Sequence, residues 1–353
     1  MARVLIVEDS RFVRQLVCDI LKKNLNVICD EASTVKEAIS KIKFYPYDVI
    51  LLDYILPDGT GMDILHEAKS SIQGKVILFS SLAEEGADIT VQALSEGAAD
   101  FILKPGWGGM LAEQFSAELL SKVGTFLEEH ESSNAVKELK QPQVKTDRTV
   151  TSTPLTAKPF VKCGGIANGI IVVGSSTGGP QALRRFLAKF ECINVPMVIA
   201  QHMPPVFTKS LAEQLNRTCH MTVIEAVEST QLQPNKVYIV TGGKHGIVSD
   251  NQLDIIDGPP VNGVKPAADL LFASAGESYK SQTLGVVLTG MGKDGLEGSK
   301  IIKQMGGKVI AESENTAVVW GMPGEIAKNG LADAVEDLEL LPEVVERIIS
   351  TWK

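Results

Sequence analysis

Aromatic side chains make up only 5% of the 353 residues, and basic residues are outnumbered, 34 Lys and Arg against 43 Asp and Glu, for a net charge of -9. Binding a phosphate backbone needs a concentrated basic face, so no nucleic-acid partner is expected. The five cysteines, Cys18, Cys29, Cys163, Cys192 and Cys219, are scattered and include no pair at metal-binding spacing. They read as reduced thiols, which argues against a disulfide framework and against a zinc site. No apolar run approaches the roughly 20 residues that cross a bilayer, so direct membrane insertion is not expected. Met1 to Asp9 lead straight into a short strand with no signal-peptide pattern; the expected location is cytoplasmic, with membrane association only through a partner.

What is present is a globular composition, 44% hydrophobic and 22% charged, over a length that favours two cores, since single cores stop growing near about 250–300 residues. From Arg3 to about Lys122, β-branched runs (Val4–Val7, Val27–Cys29, Val49–Leu52, Val76–Phe79, Phe101–Leu103) alternate with amphipathic stretches, the pattern of a parallel sheet flanked by helices. Phe12, Val13, Leu16, Val17, Ile20 and Leu21 mark one helix, with Ser10 placed to cap it. Between Glu128 and Cys163 the periodicity gives way to Ser, Thr, Lys, Gln and Pro. A second alternation follows: strands at 169–173, 196–201, 221–226, 236–240, 283–288 and 308–311, helices near 180, 205–216, 267–275 and 298–305, and a hairpin around Asp250-Asn251. The chain is therefore α/β, with a domain over 1–125, a linker over 126–164 and a second domain over 165–353.

In the first domain Glu8-Asp9 end strand one and Asp53 ends strand three, and these ends neighbour each other in a doubly wound sheet. Three converging carboxylates suit Mg²⁺, and a carboxylate beside such an ion can attack phosphorus. Ser80 ends strand four and Lys104 ends strand five, so a hydroxyl and an ammonium face the same crevice. Singly these residues read as caps and solvated charges; their succession at strand ends is what distinguishes them. This stretch resembles the response-regulator receiver family over nearly all of Arg3 to Lys122. The resemblance implies a (βα)5 receiver fold with Asp53 as phosphoacceptor, Glu8, Asp9 and Asp53 as Mg²⁺ ligands, Ser80 as switch hydroxyl, Lys104 as phosphate partner and Phe101 as the rotating aromatic. Glu8 stands where many relatives have Asp, and 57–61 matches the family's loop.

In the second domain, residues 169–180 read as a buried strand, a glycine-rich turn and a proline-started helix, with Ser176 at the turn, where the helix dipole and free N–H groups favour developing negative charge. Gly174-x-Ser176-x-Gly178 fits a nucleophile elbow, although such a turn is as often a phosphate cradle or a capped helix. A hydrolase needs a base and an orienter from other strand ends. His202, after an apolar strand in Gln201-His202-Met203-Pro204, and Asp294, in the glycine loop 288–295, meet that need. His66, His130 and His220 compete poorly; His245 is the rival.

Together these segments and Gly321-Met322-Pro323 resemble the catalytic domain of the chemotaxis methylesterase (CheB) family, so that the two resemblances cover the chain outside the linker. They imply Ser176 as nucleophile, His202 as general base, Asp294 as its orienter and the Met291 N–H as oxyanion donor. They also imply removal of methyl groups from glutamyl esters of methyl-accepting chemotaxis receptors, no cofactor for that step, a CheA-type histidine kinase as phosphodonor, and recruitment to receptor arrays at the inner membrane face. Glutamine deamidation, which changes only the leaving group, is left open. In that family the unphosphorylated receiver covers the cleft. Three segments depart from the family pattern, Lys265-Pro266-Ala267-Ala268-Asp269 for Arg-Pro-Ser-Val-Asp, Thr241 for Pro and Ala317 for Cys. The competing readings are a DNA-binding output, for which no basic recognition helix is present, and a silent docking scaffold. The implied fold is a receiver followed by a doubly wound, mostly parallel α/β sheet with an antiparallel hairpin.

Overall fold

The computed structural model describes residues 1–80, 84–104, 109–137 and 168–352. The chain divides into two compact units, Met1–Thr153 and Pro154–Lys353.

The first unit runs β1 (Ala2–Val7), α1 (Arg11–Asn24), β2 (Val27–Ala32), α2 (Val35–Phe44), β3 (Val49–Asp53), α3 (Gly61–Glu67), β4 (Lys75–Ser80), α4 (Glu84–Glu96), β5 (Asp100–Leu103) and α5 (Gly109–Lys137). Its sheet is parallel throughout, in the order β2-β1-β3-β4-β5. The continuous apolar run of β3 is buried at every position, as a central parallel strand requires. Ser10 caps α1 by accepting the Val13 N–H, as its position predicts. Phe12 does not join the core, being 75% exposed, and Cys18 takes a buried place on that helix instead. Two caps escaped the sequence reading: Thr60 and Asp63 form a reciprocal capping box on α3, and the Asp58 carboxylate accepts the Val35 and Lys36 N–H groups that open α2. Helix α5 continues into the stretch read as linker; the rest of that stretch, from 138 to 164, lies outside the described residues.

The second unit runs β6 (Ile170–Ser175), α6 (Gly179–Leu187), β7 (Met197–Gln201), α7 (Pro205–Thr218), β8 (Thr222–Ala226), β9 (Lys236–Val240), β10 (His245–Ser249), β11 (Gln252–Ile256), α8 (Ala268–Tyr279), β12 (Thr283–Val287), α9 (Leu296–Gln304), β13 (Lys308–Glu312), α10 (Met322–Lys328), β14 (Ala334–Glu336) and α11 (Leu341–Ile349). Seven parallel strands form the sheet β8-β9-β7-β6-β12-β13-β14. Strands β10 and β11 form the expected antiparallel hairpin, with Asp250 and Asn251 both at positive φ in its turn. The edge strand β14 and helices α10 and α11 were not read from sequence; β14 is three residues long and only partly buried, too short for a periodic signal. Val172, Ala200, Tyr238, Phe272, Val287, Ile302 and Met322 belong to the buried core of the unit. Each large apolar side chain so buried contributes roughly 1.5–3 kcal/mol.

Order in the sheet positions the site. From β6 the chain steps to β7 on one side, whereas β12 pairs on the other, so the carboxyl ends of these three strands flank a topological switch point.

Among the described residues no helix is long and apolar enough to cross a membrane. Cys18, Cys29 and Cys219 are free thiols. Cys192 is disulfide-bonded, which departs from the expectation of reduced thiols.

Candidate active site

At the switch point the hydrogen-bond ladder runs past the strand ends. Ser176 donates its N–H to the Thr289 carbonyl, 3.0 Å, and the His202 N–H reaches the Ser175 carbonyl, 3.1 Å. Register thus places Ser176 between His202 on one side and the loop after β12 on the other. Two glycines make this possible: Gly178 sits at φ 77° as the N-cap of α6, and a Cβ on Gly290 would lie 2.8 Å from the Ser176 Cβ. Ser176 itself is half-buried, at a turn that opens on a helix N-terminus.

His202 Nε2 and Asp294 Oδ2 are 2.8 Å apart, with side chains 9% and 3% exposed. The carboxylate accepts three more donors: Ala268 N at 2.6 Å on Oδ2, and Asp269 N and Asn262 Nδ2, both at 3.1 Å, on Oδ1. Burial pushes the Asp294 carboxyl up, but the hydrogen bond and charge of His202, with the two backbone N–H groups, outweigh it and hold the group below its ordinary value. An ionised Asp294 makes Nε2 the protonated nitrogen of neutral His202 and leaves Nδ1 as the lone pair available to a hydroxyl. Among the described residues, Ser176 Oγ makes no hydrogen bond to that imidazole; apo sites commonly close this contact only with substrate in place. Likewise the Met291 N–H donates to no protein acceptor among the described residues, while its neighbours are tied, Gly290 N to Val319 O and Met322 N to Gly290 O.

The rival His245 is 1% exposed and committed at both ring nitrogens. Nδ1 accepts from Ala267 N, 3.2 Å, so Nε2 must donate to Pro259 O, 3.0 Å. That fixes a neutral ring in a structural clamp with no lone pair to spare.

Gln201 is a residue whose role the sequence reading missed, although it stands beside His202 in the quoted motif. Its buried amide accepts from Ser175 Oγ, 2.6 Å, and donates to the carbonyls of Ser176, 3.0 Å, and His202, 3.3 Å. One side chain therefore joins the two turns. Gln201→Ala is expected to leave those groups unpaired in a buried site, costing about 2–4 kcal/mol in denaturant unfolding of the second unit, with a loss in turnover measured alongside.

In the first unit, Lys104 Nζ donates to Asp53 Oδ2, 2.7 Å, and lies 3.1 Å from Glu8 Oε2. Glu8, Asp9 and Asp53 each bring an oxygen within 4.8 Å of the others, with Asp9 exposed and the other two buried. Glu8 Oε2 is buried and has no hydrogen bond of good geometry. Three hard carboxylate oxygens so close together fit a divalent cation. Burial first, then the Asp53 charge, push the Glu8 carboxyl up to about 7 against the pull of Lys104. Ser80 ends β4, but its hydroxyl lies 2.7 Å from that of Thr90 on α4. Phe101 is buried, with Lys122 Nζ 5.1 Å from its ring centre. The structure thus joins Lys104, Asp53, Glu8 and Asp9 in one cluster and turns Ser80 toward α4.

Residues 171–345 match the CheB methylesterase family model and residues 4–114 the response regulator receiver domain. A relative from Trichodesmium erythraeum named protein-glutamate methylesterase/protein-glutamine glutaminase is 37% identical, over 98% of this chain and 99% of its own. The chain belongs to the CheB methylesterase family. A relative of the same name from Thermotoga maritima is 37% identical over 98% of both chains, and the crystal structure of the Thermotoga maritima CheB methylesterase catalytic domain matches 53% of this chain and 99% of its own at 40% identity, TM-score 0.49. Membership accounts for the two units in their order, a receiver followed by a methylesterase domain. The DNA-binding alternative finds no counterpart in either match.

Proposed function

We propose that this chain is a phosphorylation-regulated serine hydrolase that removes methyl groups from glutamyl γ-methyl esters of chemotaxis receptors, working in the cytoplasm at receptor arrays on the inner membrane face. What supports the reading is that Ser176 and His202 each stand one residue beyond the neighbouring strands β6 and β7, with His202 Nε2 hydrogen-bonded to Asp294. Ser176 Oγ attacks the ester carbonyl while His202 Nδ1 takes its proton. The Met291 N–H donates to the oxyanion, an interaction worth about 3 kcal/mol in comparable sites. His202 returns the proton to departing methanol, and water, deprotonated by His202, then releases glutamate and restores Ser176. Glutamine enters the same cycle with ammonia as the leaving group, in line with the double name of the relatives.

Methanol release from membranes carrying methylated receptors tests this proposal; no release under any condition overturns it.

On the receiver, Asp53 would take the phosphoryl group of a histidine-kinase phosphoimidazole, the P–N bond breaking as O–P forms, with Glu8, Asp9 and Asp53 as the residues that hold Mg²⁺. The ion would neutralise charge on the phosphoryl oxygens. Lys104 holds Asp53 Oδ2 in place, and Ser80 and Phe101 would turn toward the phosphoryl group once it is formed. Methanol release should rise about 5- to 100-fold with Mg²⁺ and beryllofluoride, the range of ordinary allosteric coupling, and Asp53→Asn should abolish that response.

Mg²⁺ binding carries its own pH signature. A carboxyl raised from 4.5 to about 7 favours the folded state while it is protonated, below 4.5, and loses that contribution as pH rises through 7. Metal-free receiver stability is therefore expected to fall between pH 4.5 and 7, by on the order of 3 kcal/mol. Added Mg²⁺ should recover most of it, read by urea denaturation at both ends of the range.

A further inference from the structure

Asp294 lies just before α9, and its carboxylate is held by the first two N–H groups of α8. Asp269, in the first turn of α8, reciprocates: its Oδ1 accepts the N–H of Gly298 in the first turn of α9, 2.8 Å. Each helix start is thus capped by a buried acid belonging to the other. One side chain links the two acids. Asn262 Nδ2 donates to Asp269 Oδ2, 2.7 Å, and to Asp294 Oδ1, 3.1 Å, one hydrogen for each. Val261 and Val264 exchange both backbone hydrogen bonds around it, and Asn262 and Gly263 stand at φ 54° and 78°, a tight turn over the carboxylates. His245 clamps the ends of this loop at Pro259 and Ala267.

We propose that Asn262, anchored by Asp269, is a positioning residue for the esterase reaction. By occupying Oδ1, its amide stops the Asp294 carboxylate from rotating and leaves Oδ2 for His202; by sharing its hydrogens it also offsets the repulsion between two buried acids. The inference rests on the reading of Asp294 as the orienter of His202. The competing explanation is local: asparagine is there only because the turn needs a residue that tolerates positive φ. Glycine tolerates that conformation equally well and removes the amide, so Asn262→Gly separates the two.

The test uses the full chain and methylated receptor membranes. N262G is expected to keep the parental melting temperature within a few degrees, to lower kcat about tenfold, the scale of lost support one shell from the chemistry, and to leave KM within twofold. The low-field proton resonance of the His202 ring N–H, assigned by its loss in D294A, should broaden in N262G. Parental kcat in N262G overturns the proposal, as does a rise in KM alone, which would make the loop a substrate wall. If N262G melts far below the parent, D269N, which must lose one of its two acceptor contacts, is judged by the same criteria. D294N is assayed in parallel. Parental turnover there sinks the underlying triad, whereas a large loss in D294N with none in N262G sinks this inference alone.

Discussion

Replacing Ser176 with alanine is expected to cut kcat for methanol release by about 10⁴-fold or more, the usual scale for loss of a serine nucleophile. Stability should barely change. The residue is tied into the fold through its backbone, N–H to Thr289 and carbonyl to Gly179 and Gln201, and the half-buried Oγ adds little to that. An exposed or half-exposed hydroxyl far from a buried network normally moves stability by no more than about 0.5 kcal/mol. Turnover and thermal denaturation on the same preparation separate chemistry from folding. Parental turnover in this variant would remove Ser176 from the mechanism and leave the second unit as a docking scaffold.

Asp294→Asn is expected to be nearly as severe, lowering kcat by about 10³–10⁴-fold, but for a different reason and with a cost in stability. The carboxylate accepts four donors, from His202, Ala268, Asp269 and Asn262. An amide can satisfy only its oxygen side. With its oxygen in the Oδ1 place, toward Asp269 N and Asn262, its NH₂ faces the Ala268 N–H and His202 and forces Nε2 to become the acceptor, which puts the proton on Nδ1 where a base is needed. With the oxygen toward His202 and Ala268 N, the NH₂ meets the Asp269 N–H and the Asn262 amide donors. Asp294 is held below its ordinary 3.8, so its stabilisation is present above that pH and is lost as pH falls through the lower folded value. The variant should therefore be less stable near neutrality and should lack that part of the acid-side decline, measured by urea denaturation across pH 2–7.

Legibility differed among these groups. Asp53, Glu8 and Lys104 could be placed by eye because each ends an apolar strand, and a parallel sheet brings strand ends together by construction. Ser176 and His202 were legible for the same reason, standing one residue beyond β6 and β7. Asn262 was not singled out, although Val261-Asn262-Gly263-Val264 is a turn pattern in its own right, because nothing local says that the turn lies over a carboxylate 32 residues away. Gln201 was passed over inside a quoted motif, since a strand-end glutamine shows its worth only when its three partners are known. Phe12 misled the reading: its spacing belongs to the apolar stripe of α1, yet its side chain is 75% exposed.

The sequence by itself determined the alternation of strands and helices, the split into two αβ units, the hairpin, and which strand ends carry reactive side chains, because periodicity, caps and turn residues act over a few positions and leave local marks. Only the tertiary structure decided that Asp294 turns its carboxylate to His202 Nε2, that His245 is spent on two backbone groups, that Ser80 faces Thr90, and that Asp269 and Asn262 support the acid. Those outcomes depend on side chains brought together by strand order and helix packing across tens of residues, and hydrogen bonds at that separation write no pattern into the chain between them.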